Sequence, residues 1–219
     1  MDKTIETIMS SILPILVAGL KVTIPLTIIS FIFGLIIAIV TAIAKISSIR
    51  LLNLLFSGYV WIFRGTPLLV QLFIVFYGLP KAGIELNAWS AAITTFSLNT
   101  GAYASESVRA SILSIPKGQW EAAQSIGMSY WMSLRRIIAP QAFRICLPPL
   151  SNTFISLVKD TSLASSITMV EMFMVSQRIA ARTFDPLLLY SLVAVIYLLL
   201  CTVLTYLQGK LEKTSSSYV

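Results

Sequence analysis

Residues 22–44 read VTIPLTIISFIFGLIIAIVTAIA, a run of 23 residues without one charged side chain. A helix needs about 20 apolar residues to cross the hydrocarbon core of a bilayer, so this stretch predicts a transmembrane helix. Working outward, four more runs have the same character. Residues 51–80 carry only Arg64, 86–105 carry no charge, 145–170 are interrupted only by Lys159-Asp160, and 186–209 carry none. The runs are continuous rather than alternating, which disfavours a barrel. They predict an all-α integral membrane protein with five transmembrane helices. The whole composition agrees: 57% of the 219 residues are hydrophobic and 11% charged, against about 45–50% and about 25% in soluble domains. A water-soluble enzyme, a nucleic-acid binder and a disordered chain are thereby excluded. The net charge of +7 is read as a topology signal, with no nucleic acid among the partners.

Upstream of the first run, Ile5, Ile8, Met9 and Ile12 repeat at helical spacing opposite Asp2, Lys3 and Glu6. The pattern fits an interfacial amphipathic helix over about residues 1–12, or equally the first turns of the span. The mixed charge there does not resemble a cleavable signal peptide. With the N-terminus outside, nine cations fall on the cytoplasmic side: Lys45, Arg50, Arg109, Lys117, Arg135, Arg136, Arg144, Lys210 and Lys213. Five fall outside: Lys3, Lys21, Lys81, Arg178 and Arg182. The excess predicts N-out/C-in. The polar tail after Lys213, TSSSYV, is expected to be disordered. Cys146 and Cys201 both sit in apolar stretches and are expected to act as small hydrophobes.

Between the third and fourth runs lies SIPKGQWEAAQSIGMSYWMSLRRIIAPQA, residues 114–142. Pro116 and Gly118 punctuate its start. Trp120, Ala123 and Ile126 fall at helical spacing. Gly127 is suited to end or bend that helix, and Pro140 is expected to break the chain before the fourth span. Trp120, Met128, Tyr130 and Trp131 among basic residues suggest a partner surface or an interfacial aromatic belt.

The run Glu121-Ala122-Ala123, then Gly127, Ile137 and Pro140, resembles the EAA loop of ABC importer permeases. Arg64-Gly65-Thr66-Pro67-Leu68 with Gln71, then Asn99, Tyr103, Glu106, Arg109, Pro140-Gln141-Ala142 and Lys159, resembles the polar amino-acid uptake branch. The runs YGLPKAGIEL (77–86), KGQWEAAQSIGM (117–128) and LPPLSNTFISLVKDTSLA (147–164) are similar to the cystine permeases within it. The resemblance implies a single transmembrane domain over 1–219 with the type I ABC importer fold, in a bacterial plasma membrane, crossing it several times. It implies that Gly118, Glu121, Ala122, Ala123, Gly127 and Pro140 belong to a coupling loop that docks on an ATPase subunit. The implied partners are an ATPase dimer, a second permease subunit (making a homodimer or a heterodimer), an extracellular or periplasmic amino-acid-binding protein, membrane lipid and an amino-acid substrate. L-cystine leads, with arginine, histidine or glutamine types as alternatives.

The chain contains no G-x-x-x-x-G-K-[ST], so no cofactor is expected here, and ATP and Mg belong to the partner ATPase. Without histidine, His-based catalysis and metal sites are ruled out. Ionisable groups inside spans cost about 2.5–3.5 kcal/mol each at the helix centre, which makes them functional candidates. Asp160 and Lys159 would match the ammonium and carboxylate of an amino acid, or Asp160 would pair with Arg64. Thr161 and Leu163 complete the KDTSL segment that resembles the family. Arg64 precedes a hinge at Gly65-Thr66-Pro67. Gln71, Asn99 and Tyr103 would line the path. Glu106 would join them or form an intrahelical salt bridge with Arg109. A rival reading, an ion-coupled transporter with a proton site at Asp160 or Glu106, has no inverted repeat to support it.

Overall fold

The computed structural model describes residues 3–216, and every regular element among them is helical. Helix α1 (Lys3–Ala18) runs through one π turn (Gly19–Thr23) into α2 (Ile24–Ile46). Thr4–Ile46 is therefore one 43-residue apolar helix, roughly 65 Å long at 1.5 Å per residue. The stretch read as a surface helix is continuous with the first span, and Met1 and Asp2 lie outside the described residues. Next come α3 (Arg50–Gly65) and α4 (Leu68–Phe73). The latter continues through a π turn (Ile74–Gly78) and a 3₁₀ turn (Leu79–Ala82). Then follow α5 (Ala88–Leu113), α6 (Lys117–Ser125), α7 (Tyr130–Ser133), a π turn (Leu134–Ile138), α8 (Ala139–Asp160), a 3₁₀ segment (Thr161–Ile167), α9 (Met172–Thr183) and α10 (Pro186–Ser216).

Two described helices, Thr4–Ile46 and Pro186–Lys213, are long and apolar enough to cross a membrane. A third candidate is the pair formed by Arg50–Gly65 and Leu68–Ala82, bent by 106°. The run 51–80 is thus not one straight span. The run 145–170 is not one helix either. α8 ends at Asp160, the 3₁₀ segment follows, and Thr168 at φ 67° reverses the chain before α9. The tail reading needs correction too: α10 extends through Ser216, while residues 217–219 lie outside the described residues.

All three π turns end two residues before a proline: Pro25, Pro80 and Pro140. Proline lacks an N–H, and its ring collides with the carbonyl four residues back. In each case that carbonyl lies in the widened turn, where the longer loop accommodates the ring. Pro140 therefore does not break the chain. It stands in the first turn of α8, and the helix is continuous from Tyr130 to Asp160.

The inner bundle is α2, α5 and α8 with the short α4. Leu26, Leu72, Phe96, Leu157 and Ile167 meet in its core. The small residues Ala91, Ala92, Ser97, Gly101, Ala102 and Ala104 of α5 are buried and let the backbones approach closely. A Cβ on Gly34 would lie 2.9 Å from Thr100, and one on Gly101 would lie 2.7 Å from Ile37. A second layer, α1, α9 and α10, packs through Ile15, Met172 and Val193. On the uncovered faces of α2 and α10, Ile28, Ile32, Ile36, Leu198 and Leu199 are exposed, as expected of residues suited to an apolar environment.

Candidate functional site

The bend between α3 and α4 begins the site. Proline pushes its predecessor out of the helical region, and Thr66 (φ −121°, ψ 148°) and Pro67 (ψ 135°) are extended. The break strands backbone carbonyls, which need partners in a low-dielectric interior. Gln71 supplies them. Its Nε2 donates to the Phe63 carbonyl at 2.9 Å, the Thr66 carbonyl at 3.1 Å and the Thr66 hydroxyl at 2.9 Å. Asn99 of α5 donates to Gln71 Oε1 at 3.0 Å and to the Phe63 carbonyl at 3.3 Å. Gln71 is thus a buried brace for the bend rather than a lining residue.

Beside this bend lies a cavity of about 460 Å³ between the α3–α4 break, α5 and α8. Thr66, Asn99, Tyr103, Asn152, Ser156 and Asp160 supply its polar wall. Asn152, Ser156 and Asp160 recur every four residues and so share one face of α8. Asp160 is the one carboxylate among the lining residues. The Arg64 guanidinium stands 5.3 Å from the centre of the Tyr103 ring, a cation–π contact at the cavity's edge. The arrangement offers an anion for an ammonium group and amide and hydroxyl groups for a carboxylate, with a cation close by.

The other residues singled out in the sequence lie elsewhere. Lys159 points into a different cavity with Ser162, Tyr197 and Cys201, because neighbours on a helix diverge by about 100°. Thr161 is fully buried, its hydroxyl bonded to the Val158 carbonyl at 2.7 Å. Leu163 packs against the inner core. Glu106 is away from the lining and receives Arg109 through Nε at 3.1 Å and Nη2 at 2.9 Å, together with Lys45. The alternative pairing of Asp160 with Arg64 does not occur among the described residues.

Sequence reasoning missed three features. The 152/156/160 spacing was visible and overlooked. The Lys45–Glu106 pair, 61 residues apart, had no local signal. Glu171 is fully buried; its carboxylate caps α9, accepting from the Phe173 and Met174 amides at 2.7 and 2.6 Å and from the Tyr197 hydroxyl at 3.1 Å. Glu is not among the residues usually found at an N-cap, so this role had no local signal.

At one end of the bundle, the 114–142 loop is built on α6. After Ile126, Gly127 takes φ 79°, a left-handed conformation natural to glycine. The Gly127 and Met128 amides close the helix on the Gln124 and Ala123 carbonyls at 2.9 and 3.1 Å. Ala123 is buried, while Gly118, Glu121 and Ala122 are exposed. Beneath α6, Ile115, Ile138 and Ala142 form a small core with Trp120 and Leu134. Trp120 stacks on Tyr130 with ring centres 5.2 Å apart. Ile126 and Trp131 stand 75% and 64% exposed.

A helical bundle with a bent polar cavity and a braced loop at one end is an architecture suited to a membrane transport component. The family described as "Binding-protein-dependent transport system inner membrane component" matches residues 30–216, and the chain belongs to it. It is the permease component of an ABC transport system. It is 53% identical over 215 residues to the L-cystine transport system permease protein TcyB of Bacillus subtilis, covering 98% of this chain and 92% of that protein. It is 35% identical over 203 residues to the glutamine transport system permease protein GlnP of Escherichia coli, covering 92% and 93%. Among solved structures, an amino acid ABC transporter crystallised with histidines superimposes with a TM-score of 0.87 at 33% identity, covering 94% of this chain and 96% of that one. The MetNI methionine ABC transporter, at 16% identity and a TM-score of 0.72 over 98% and 99%, shares the fold.

Proposed function

We propose that this chain is one of two permease subunits in an ATP-driven importer that carries L-cystine into the bacterial cytoplasm. The observation that carries this reading is the 53% identity to an L-cystine permease across 98% of the chain. Residues 1–219 act as one transmembrane domain of type I, multi-pass in the plasma membrane and N-out/C-in. Five helical segments support the count: Thr4–Ile46, the bent pair, α5, α8 and α10. The nine-to-five cation asymmetry supports the orientation. The described part of the first dozen residues, from Lys3, lies at the outer interface as the start of the long first helix, and 114–142 faces the cytoplasm.

In this reading α6, with Gly118, Glu121, Ala122, Ala123 and Gly127, seats on an ATPase dimer that holds ATP and Mg. Pro140 anchors the return into α8. A substrate-binding protein delivers the amino acid from outside. Asp160 receives its ammonium group and Tyr103 and Arg64 meet the carboxylate, while Asn99, whose amide hydrogens go to Gln71 and Phe63, lines the wall. Charge-assisted bonds of this kind are strong where water is excluded. ATP-driven closure below moves α6, and the bundle alternates between two states with different contacts to substrate.

The test is uptake of labelled L-cystine into liposomes holding this chain with its ATPase and binding protein. Uptake that requires ATP and is indifferent to a protonophore is expected. Uptake without ATP, driven by a proton gradient, would overturn the reading.

A further inference from the structure

The α2–α5 interface carries small residues that let the two backbones approach closely. Toward one end of it a polar group ties the two helices together. The Glu106 carboxylate uses its oxygens separately: Oε1 receives Lys45 from the last turn of α2, and Oε2 receives the forked Arg109 from the next turn of α5. Exposed ion pairs contribute little because water screens them. Here the three side chains are only 15%, 22% and 33% exposed, so the pairing is stronger and more directional. The Lys45 carbonyl also accepts from Asn53 Nδ2 of α3 at 2.7 Å. Lys45 thus binds α5 through its side chain and α3 through its backbone. α3 leads to Thr66 and Pro67 in the cavity wall, and α5 leads in the other direction, through Pro116, into α6.

We propose that Lys45, Glu106 and Arg109 are positioning residues that lock α2 and α3 onto the α5–α6 lever, so that movement of α6 reaches the bent wall of the cavity. This rests on α6 being the ATPase contact. The readout is ATP hydrolysed per amino acid transported by the complete reconstituted importer, which a merely structural role would leave unchanged. Lys45→Met and Glu106→Gln should each raise that ratio about tenfold. The double variant should also raise it about tenfold rather than about a hundredfold, as one shared interaction requires. Lys45→Arg, which keeps the cation, should stay near the unsubstituted value.

Unchanged ratios in the single variants, or a multiplicative double, would overturn the proposal. If the substituted chains fail to assemble, spin labels at the exposed Ile49 and Leu113 decide. Their separation should hold within about 2 Å through the ATP cycle, and a change beyond about 5 Å would contradict a locked register. Gly127→Val separates the two readings. If it leaves transport coupled, the α6 assignment fails. If it uncouples while Lys45→Met does not, only the tie fails.

Discussion

Around the bend at Gly65–Leu68 the contacts are hydrogen bonds. Gln71 and Asn99 satisfy carbonyls that a broken helix leaves open beside the cavity. Around α6 the order is reversed. An apolar core of Ile115, Ile138, Ala142 and Trp120 holds a loop at the end of the bundle. The difference follows from solvent. Inside the bundle, apolar contact distinguishes little, because lipid is equally apolar, and a directional polar bond sets geometry. Where water is present, apolar burial has its full driving force and stiffens a loop. The cavity is a polar site braced by polar groups, and the loop, the ATPase contact in the proposed reading, is braced by a core.

Substitutions can break or sharpen that contrast. The largest effect is expected from Gly127→Val. A β-branched residue at φ 79° is strained by about 1–3 kcal/mol and would redirect the chain leaving α6. Transport should fall by about two orders of magnitude while the ATPase subunits continue to hydrolyse ATP. Next is Asp160→Asn, which removes the cavity's carboxylate without changing its shape. Uptake should fall about tenfold or more, a loss of roughly 1.4 kcal/mol or above, with insertion and assembly unaltered.

Gln71→Leu should act on stability. It removes the Gln71 bonds to the Phe63 and Thr66 carbonyls, but Asn99 still reaches the former and Thr66 is exposed, so the loss is about 0.5–1.5 kcal/mol per bond. A lowered thermal midpoint of the purified permease is the expected reading. Lys159→Met should have the smallest effect on transport, within about twofold, because Lys159 faces away from the Asp160 cavity. A large loss in uptake would place that side chain on the path after all.

The legible part of this architecture was what each segment carries in its own chemistry. Uncharged runs marked the helices, Pro67 marked the bend, and Gly127 marked the end of α6. Asn99, Tyr103 and Asp160, each a candidate path residue by sequence, line one cavity. The illegible part was relational. Lys159 and Asp160 are adjacent in sequence and open into different cavities. Gln71 was read as lining because it is polar, yet the open carbonyls beside it gave it a bracing role. Pro140 signalled a break, but a π turn at Leu134–Ile138 accommodated it. The partnership of Lys45 with Glu106 depends on α2 and α5 packing side by side.

The central claim is that the cavity and the loop are two ends of one device. A cysteine at Ser156, in a chain with Cys146 and Cys201 replaced by alanine, reports on it most directly. In the reconstituted complex, its reaction rate with a membrane-impermeant thiol reagent should change about tenfold or more when ATP is bound but not hydrolysed. Gly127→Val should abolish that change. An identical rate with and without ATP, in a complex that still hydrolyses it, would contradict the claim.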